Sequence, residues 1–440
     1  MAQTSMTPSL TEPAERSGVY ALTNARVVVR PGQVLPSATL VVRDGLIAAV
    51  GGRVRVPADA QVVDVAGATV FAGFIDAQGI VADQPDSTSS QAPLVGSVST
   101  LVRPQREVSD VAWPGAKRLQ GLRDSGITSV LLRPGSGIFR GRAALLNTSG
   151  VSRWDQSLVA SAVAQVASFE THPNTQVAAE DVYPQSIRGS IAVIRQSLLD
   201  AQWQRDVLAW HRRQGRQSLS PPVAQPALSA LAEVLDAGQP MFFEAPDQLD
   251  FERIASLGQQ FKLRWVALGN GYEYRYAQVL KADAGAVIVP LVWPQVPAVL
   301  DDEAALQVSL ADMEHWQWAP YNARVLAESG VTFAFTSAGL SDPPEQFLRR
   351  VRETVARGLD EQTALAALTT VPARLLGMQD QLGTLEPGRR AQFLIADADL
   401  LRSAAARIHE VWVDGRRYVQ SLPARANAAS TEATSKPPLP

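Results

Sequence analysis

The sequence predicts an α/β protein: a (β/α)8 barrel over residues 72–385, with a small composite β-sandwich built from residues 18–71 and 386–422. Three observations lead there. Short β patterns occur near both ends of the chain, and an amphipathic helix followed by a glycine and a buried strand recurs through the middle. The length of 440 residues exceeds one ordinary domain yet suits one large barrel with an appendage.

Residues 1–17 and 423–440 are polar, rich in Pro, Ser and Thr and without periodicity, and so predict flexible tails. Between Val19 and Val65, the runs Ala25–Arg30, Thr39–Arg43 and Leu46–Val50 predict strands. Asp44-Gly45 supplies the positive φ of a tight hairpin turn. The same pattern returns at the far end as Ala391–Ala396, His409–Val413, the turn pair Asp414-Gly415, and Arg416–Val419. The two β segments are expected to pair in one sheet.

The repeating unit of the middle is clearest in Trp113–Ser125 with Gly126 and Ile127–Leu132, and in Ala227–Ala237 with Gly238 and Met241–Phe243. It recurs in Phe251–Leu257 with Gly258 and Trp265–Leu268, then in Tyr274–Ala284 with Gly285 and Ala286–Val289. A further copy is Pro320–Ser329 with Gly330 and Val331–Phe335. Each glycine fits the left-handed position that ends a helix, and each following apolar run fits a strand buried on both faces. Repeated βα units mean a parallel sheet, and room for about eight of them favours a closed barrel. In such a barrel, chemistry belongs at the C-terminal strand ends. These are Asp76–Ile80, Glu244–Pro246, Gly269–Glu273, Pro290–Pro294 and Thr336–Gly339.

Composition narrows the function. Forty basic and 43 acidic residues leave a net charge of −3, so no whole-protein field exists to bind nucleic acid or an anionic membrane, and neither partner is expected. The absence of cysteine excludes disulfides, thiolate metal sites and a cysteine nucleophile. No stretch reaches the 18 or so apolar residues of a spanning helix, and the start lacks a basic n-region and an apolar h-region. The chain therefore reads as soluble, cytoplasmic as written, or periplasmic if a leader was removed.

Several tracts resemble the amidohydrolase superfamily, most closely its imidazolonepropionase-like branch. Thr69-Val70-Phe71-Ala72-Gly73-Phe74-Ile75-Asp76 is similar to that family's approach to its first barrel strand. Gly358-Leu359, Ala367-Leu368-Thr369, Pro372-Ala373, Leu375-Leu376-Gly377, Leu382-Gly383-Thr384-Leu385-Glu386-Pro387-Gly388 and Val411-Trp412-Val413-Asp414-Gly415-Arg416 are similar to its closing helices and second sandwich segment. The resemblance implies hydrolysis of amide, lactam or related C–N bonds at one or two metal ions that activate water. The ligand positions do not follow. Where the family has His-x-His, this chain has Gln78 and Ile80. The next histidine position holds Glu244, and the one after it falls near Gly269 and Asn270. The metal-binding aspartate position holds Ser337 or Ala338. Ala391-Gln392 stands where the family has Ala-Asp.

None of His172, His211, His315 and His409 occupies a motif position, and none of Lys117, Lys262, Lys281 and Lys436 ends a barrel strand. This pattern of losses, with Met241–Glu244, Glu314-His315-Trp316 and Arg195-Gln196, resembles the ligand-free first half of bacterial proteins that carry two amidohydrolase units in tandem. The pocket candidates are Asp76, Gln78, Glu244, Asn270, Glu273, His315 and Ser337. Glu244 and His315 are the most pointed, although both also suit packed, hydrogen-bonded side chains. Gly135-Ser136-Gly137-Ile138-Phe139-Arg140-Gly141 has the wrong spacing for a dinucleotide loop and reads as a barrel loop. Trp265, Trp293, Trp316 and Trp318 fall near strand ends, where core packing is the default and an aromatic cleft the alternative.

The expectation is a non-catalytic member of the superfamily without metal or other cofactor. It would form a homodimer, pair with or support an active amidohydrolase homologue, or bind a small molecule. The alternative is a hydrolase of C–N bonds with a reduced zinc site rebuilt around Glu244 and His315.

Overall fold

The structure, a computed structural model, describes residues 18–82, 99, 101–108, 114–151, 154–171, 183–214, 223–236, 238–282, 285–297 and 302–419. The two terminal tails, His172 and Lys436 lie outside them. Five strands open the chain: β1 (Val19–Arg30), β2 (Gln33–Arg43), β3 (Leu46–Gly51), β4 (Ala60–Asp64) and β5 (Thr69–Ala72). Eight follow: β6 (Phe74–Ala82), β7 (Ile127–Pro134), β8 (Phe139–Asn147), β9 (Leu158–Ala167), β10 (Met241–Glu244), β11 (Trp265–Leu268), β12 (Ala286–Pro290) and β13 (Thr332–Thr336). The last three are β14 (Phe393–Ala396), β15 (Ile408–Val413) and β16 (Arg416–Val419).

Both chain ends contribute to one eight-stranded sheet, ordered β16-β15-β14-β5-β1-β2-β3 with β4 on β1. The joint is the antiparallel pairing of β5 with β14, Ala72 opposite Phe393 and Val70 opposite Ile395. Alternating side chains gather on one face around Trp412, which is fully buried. Its indole stacks on Phe393 at 5.2 Å and meets Tyr20 edge-on at 4.9 Å. The turns Asp44-Gly45 and Asp414-Gly415 all have positive φ and touch each other. A Cβ on Gly45 would lie 3.0 Å from the Asp414 carbonyl oxygen, so glycine there serves both the turn and the contact.

The second sheet runs β13-β12-β11-β10-β9-β8-β7-β6 and nearly closes into a barrel, because β13 returns to lie against β6. Inward side chains such as Ile75, Leu131, Phe242, Val266, Ile288 and Ala334 fill it, and Leu375, Leu376, Met378 and Leu382 belong to the same buried cluster. The opposite parity, with Phe74, Phe243, Val287 and Phe335 among it, joins the larger core shared with helices such as Ala116–Asp124 and Asp250–Phe261. This two-sided burial is why these strands read as unbroken apolar runs. Among the described residues, no helix is long and apolar enough to cross a membrane.

Two features differ from the repeated-unit reading. First, β7, β8 and β9 form an antiparallel meander inside an otherwise parallel sheet. The glycine-rich segment Gly135–Gly141 turns β7 directly into β8, with Gly137 and Gly141 at φ 116° and 119°, and four residues between strands cannot hold a crossover helix. Second, Gly126 and Gly330 take the left-handed helix-ending conformation, whereas Gly238, Gly258 and Gly285 do not. The helix Asp250–Phe261 runs through Gly258 and ends at Lys262, which takes the left-handed position. Gly258 and Gly285 instead make room for Trp265: a Cβ would come within 2.3 Å and 2.0 Å of its indole. Trp265 thus belongs to the N-terminal end of its strand, away from the mouth.

Candidate functional site

Asp76 on β6 is fully buried and accepts five hydrogen bonds. Oδ1 receives the N–H groups of Gln78 and Gly79 and the Thr336 hydroxyl at 2.6 Å. Oδ2 receives the Ser337 N–H at 2.9 Å and the Ser337 hydroxyl at 2.5 Å. Two of the candidates, Asp76 and Ser337, are thereby joined, and the contact fastens the first barrel strand to the end of the last. Gln78 gives its N–H to this node, while its side-chain Oε1 is buried without a protein partner.

Glu244 ends β10 with Phe242 inward two residues before it. It is held by two buried guanidiniums, Arg133 from β7 and Arg140 from β8. Both donate to Oε1, Arg140 at 2.6 Å. Arg140 also reaches Glu170 at 3.3 Å, and Glu170 accepts the Gly137 N–H at 2.8 Å. The result is a set of two buried cations and two part-exposed anions. Burial lowers the Arg133 pKa, the Glu244 carboxylate opposes that, and neighbouring Arg140 adds to it. The backbone N–H of the glycine loop is thus occupied by a carboxylate of the protein itself.

Asn270 and Glu273 follow β11 and form a third node. Glu273 is fully buried and turns back under its own loop, taking the N–H groups of Asn270 (2.6 Å) and Gly271 (2.9 Å) on Oε1. Asn322 donates to Oε2. Burial pushes the Glu273 carboxyl above the ordinary range despite these donors. His315 is buried beside this loop, its ring stacked on Tyr272 at 3.6 Å and its Nδ1 3.4 Å from the Tyr274 hydroxyl. Burial and then Arg275 depress its pKa, with Asp312 opposing, so the imidazole is neutral at neutral pH. His409 lies in the other sheet, paired with Asp397 at 2.9 Å.

A cavity of about 220 Å³ opens next to the Asp76–Ser337 node, between the end of β6, the helix Ala116–Asp124 and the loop after β13. Gly79, Lys117, Ser337, Gly339 and Pro344 are among its walls.

The residues present do not fit the metal centre that the resemblance implies. Ile80 has no donor atom. The space beyond Gly269 is taken by Glu273, whose Oε1 would lie 2.0 Å from a Cβ there. Ser337 spends both its N–H and its hydroxyl on Asp76, and Glu244 faces two cations. Among the described residues, no three His, Asp or Glu side chains gather where they could hold an ion. Arg133, Arg140, Glu170 and Asn322 were not legible as site residues. The one available signal was Arg133, a cation sharing the inward parity of Leu131 at the end of an apolar strand.

The molecule has the mixed α/β, barrel-like fold seen in amidohydrolases. An amidohydrolase from Thermotoga maritima MSB8 superposes with a TM-score of 0.71 at 18% identity, covering 91% of this chain and all of that one. A putative prolidase from Bifidobacterium longum gives 0.54 at 18% identity, over 92% and 95% of the two chains. Residues 320–419 match the amidohydrolase family. Amidohydrolase tasK of Hapsidospora irregularis is 23% identical over 419 residues, which are 86% of this chain but 39% of that protein. The chain thus spans well under half the length of this curated relative. The C-terminal residues 320–419 thus match the amidohydrolase family, and the chain shares the amidohydrolase fold.

Proposed function

We propose that this chain is a non-catalytic member of the superfamily that acts by association with an active amidohydrolase, the inherited mouth serving as a scaffold or small-molecule cleft. One observation carries the reading. Glu244, the only carboxylate among the expected ligand positions, is neutralised by Arg133 and Arg140, so the positive charge that a metal would bring is supplied by the protein. A divalent cation entering there would meet two guanidiniums in a low-dielectric setting, where like charges repel strongly. The greater length of the Hapsidospora relative supports association, since there a region like this one is joined to further chain. We read the second sheet as a (β/α)8-type barrel with its second and third crossovers replaced by hairpins, and the first sheet as the composite sandwich formed by residues 18–71 and 386–422.

The experiment is an assay of C–N bond hydrolysis on dipeptide and lactam substrates, with added zinc or manganese. It is run on the chain alone and on the chain co-expressed with an amidohydrolase that keeps His-x-His. The expected result is no turnover by the chain alone and altered yield or activity of the partner. Metal-dependent turnover by the chain alone, abolished in Glu244→Ala, would establish the rebuilt hydrolase instead.

A further inference from the structure

Two surfaces on different helices carry exposed apolar residues beside opposite excesses of charge. The first lies on the helix Ile187–Gln214, which at 28 residues is roughly 42 Å long. Leu199, Trp203 and Trp210 recur at intervals of four and seven and so form one stripe. The tryptophans are 59% and 46% exposed. Arg188, Arg195 and Arg213 fall along one edge of that stripe by the same periodicity, and none is in an ion pair among the described residues, although Arg195 donates to Gln260 at 3.0 Å; Asp206 shares the edge and is paired with Arg205 at 3.1 Å.

The second surface belongs to the excursion between β12 and β13. His315 is the only buried residue of the helix Leu310–Trp318, which is attached to the body through the stack on Tyr272, the Glu314–Arg275 pair at 3.2 Å and the contact of Trp318 with Tyr321. Leu310 and Met313 lie on the side of the helix away from that anchor, and Leu306 ends the short helix Asp302–Leu306 just before it. Leu306 and Leu310 are 83% and 75% exposed. Residues 302–318 contain Asp302, Glu303, Asp312 and Glu314 and no lysine or arginine. A nine-residue helix is marginal in water without packing on its apolar side, and contiguous exposed apolar surface of this kind marks an interaction site.

In the sheet, β10 and β11 lie between β9 and β12, the strands that lead into the two surfaces. We propose that the Trp203–Trp210 stripe of one copy docks on the Leu306–Met313 face of a second copy of this chain. The apolar residues supply the buried area, and the arginine edge against the acidic segment sets the orientation. Both surfaces are used once per chain, so a twofold dimer with two such contacts satisfies every copy, whereas a contact that fails to close gives a filament. This deepens the association reading above and rests on it.

The test is sedimentation equilibrium of the full chain with charge-reversed variants, Arg195→Glu/Arg213→Glu on the stripe and Glu303→Arg/Glu314→Arg on the opposite face. The wild type is expected to self-associate at micromolar concentration, and either variant to weaken association by roughly tenfold or more. The two variants mixed, or combined in one chain, should restore it. Trp203→Ser/Trp210→Ser should abolish association, and circular dichroism verifies that each variant remains folded. A monomeric wild type, or a mixture no tighter than its components, would overturn the proposal. So would capture of an active amidohydrolase on the same face by a chain that does not pair with itself. Turnover by the chain alone would defeat the non-catalytic reading while leaving this contact intact, so the two failures are distinguishable.

Discussion

The Ser337 hydroxyl donates to Asp76 Oδ2 at 2.5 Å, and its N–H donates to the same oxygen at 2.9 Å. Ser337, one of the two residues at which the resemblance expects a metal-binding aspartate, is therefore a donor here, and the neighbouring carboxylate is consumed in fastening β13 to β6. Asp76→Asn would turn an amide NH2 toward groups that are themselves donors. Buried hydrogen bonds to a charged acceptor are worth about 1.5–3 kcal/mol each and are costly to leave unmade, so a loss of about 3 kcal/mol is expected. Ser337→Ala keeps the backbone donor and should cost about 1 kcal/mol on the same reasoning. Urea denaturation reads both. A midpoint for Asp76→Asn indistinguishable from wild type would remove the node's structural role.

Glu244 makes a second case in which the loss of one partner exposes others. Glu244→Ala leaves Arg133, buried and lowered in pKa by that burial, without its main counter-charge, which typically costs about 3–5 kcal/mol. Replacing all four, as Arg133→Met, Arg140→Met, Glu244→Leu and Glu170→Gln, removes the charges together and should recover much of that loss. Elemental analysis after incubation with zinc and dialysis should find far less than one ion per chain in the wild type. Near-stoichiometric zinc that disappears in Glu244→Ala would mean that the guanidiniums yield to a metal.

The sequence made some of this legible and hid the rest for identifiable reasons. Asp44-Gly45 and Asp414-Gly415 declare hairpins because turn chemistry is local: both residues must adopt positive φ, and few pairs do so cheaply. The strands Met241–Glu244 and Trp265–Leu268 stand out because burial on both faces leaves a short apolar run. The β7–β9 meander does not, because an apolar run reads the same in either direction. Arg133 and Arg140 resemble solvated charges until Glu244, more than a hundred residues away, is placed beside them. Gly258 and Gly285 look like helix terminators, and only the position of Trp265 shows that they are spaces for an indole.

That space gives a packing test. Gly258→Ala and Gly285→Ala each introduce a methyl inside the van der Waals radius of Trp265, 2.3 Å and 2.0 Å from ring atoms. Overpacking of this kind costs about 1–3 kcal/mol. At Gly258, which is helical, the alanine should recover part of that through propensity, up to about 1 kcal/mol. Gly285→Ala should therefore be the more damaging substitution in a thermal melt. Combined with Trp265→Leu, each alanine should cost less than it does alone, a coupling that a double-mutant cycle measures. Strict additivity would show that the glycines matter for backbone freedom and not for the indole.

Glu273 sets a pH dependence whose sign can be worked out. Its carboxyl is raised above the ordinary range, chiefly by complete burial. A raised folded-state pKa means that the protonated acid is the favoured partner of the fold. Its contribution to stability is complete below the unfolded-state pKa and declines as pH rises through the folded-state value. Asn322 Oδ1 is buried without a partner, and turning that amide would let it accept from a protonated Glu273 while Oε1 keeps the Asn270 and Gly271 N–H groups. Glutamine has the same shape and supplies a permanent donor at that place. Glu273→Gln should therefore be neutral or stabilising by up to about 1 kcal/mol near pH 8, with less advantage at pH 4. Glu273→Ala, which strands two backbone N–H groups and Asn322, should lose about 2–4 kcal/mol at both. Unfolding measured across that range compares the curves. A Glu273→Gln variant less stable than wild type at pH 8, by a margin that shrinks on acidification, would show instead that the buried carboxylate is charged and held by its donors.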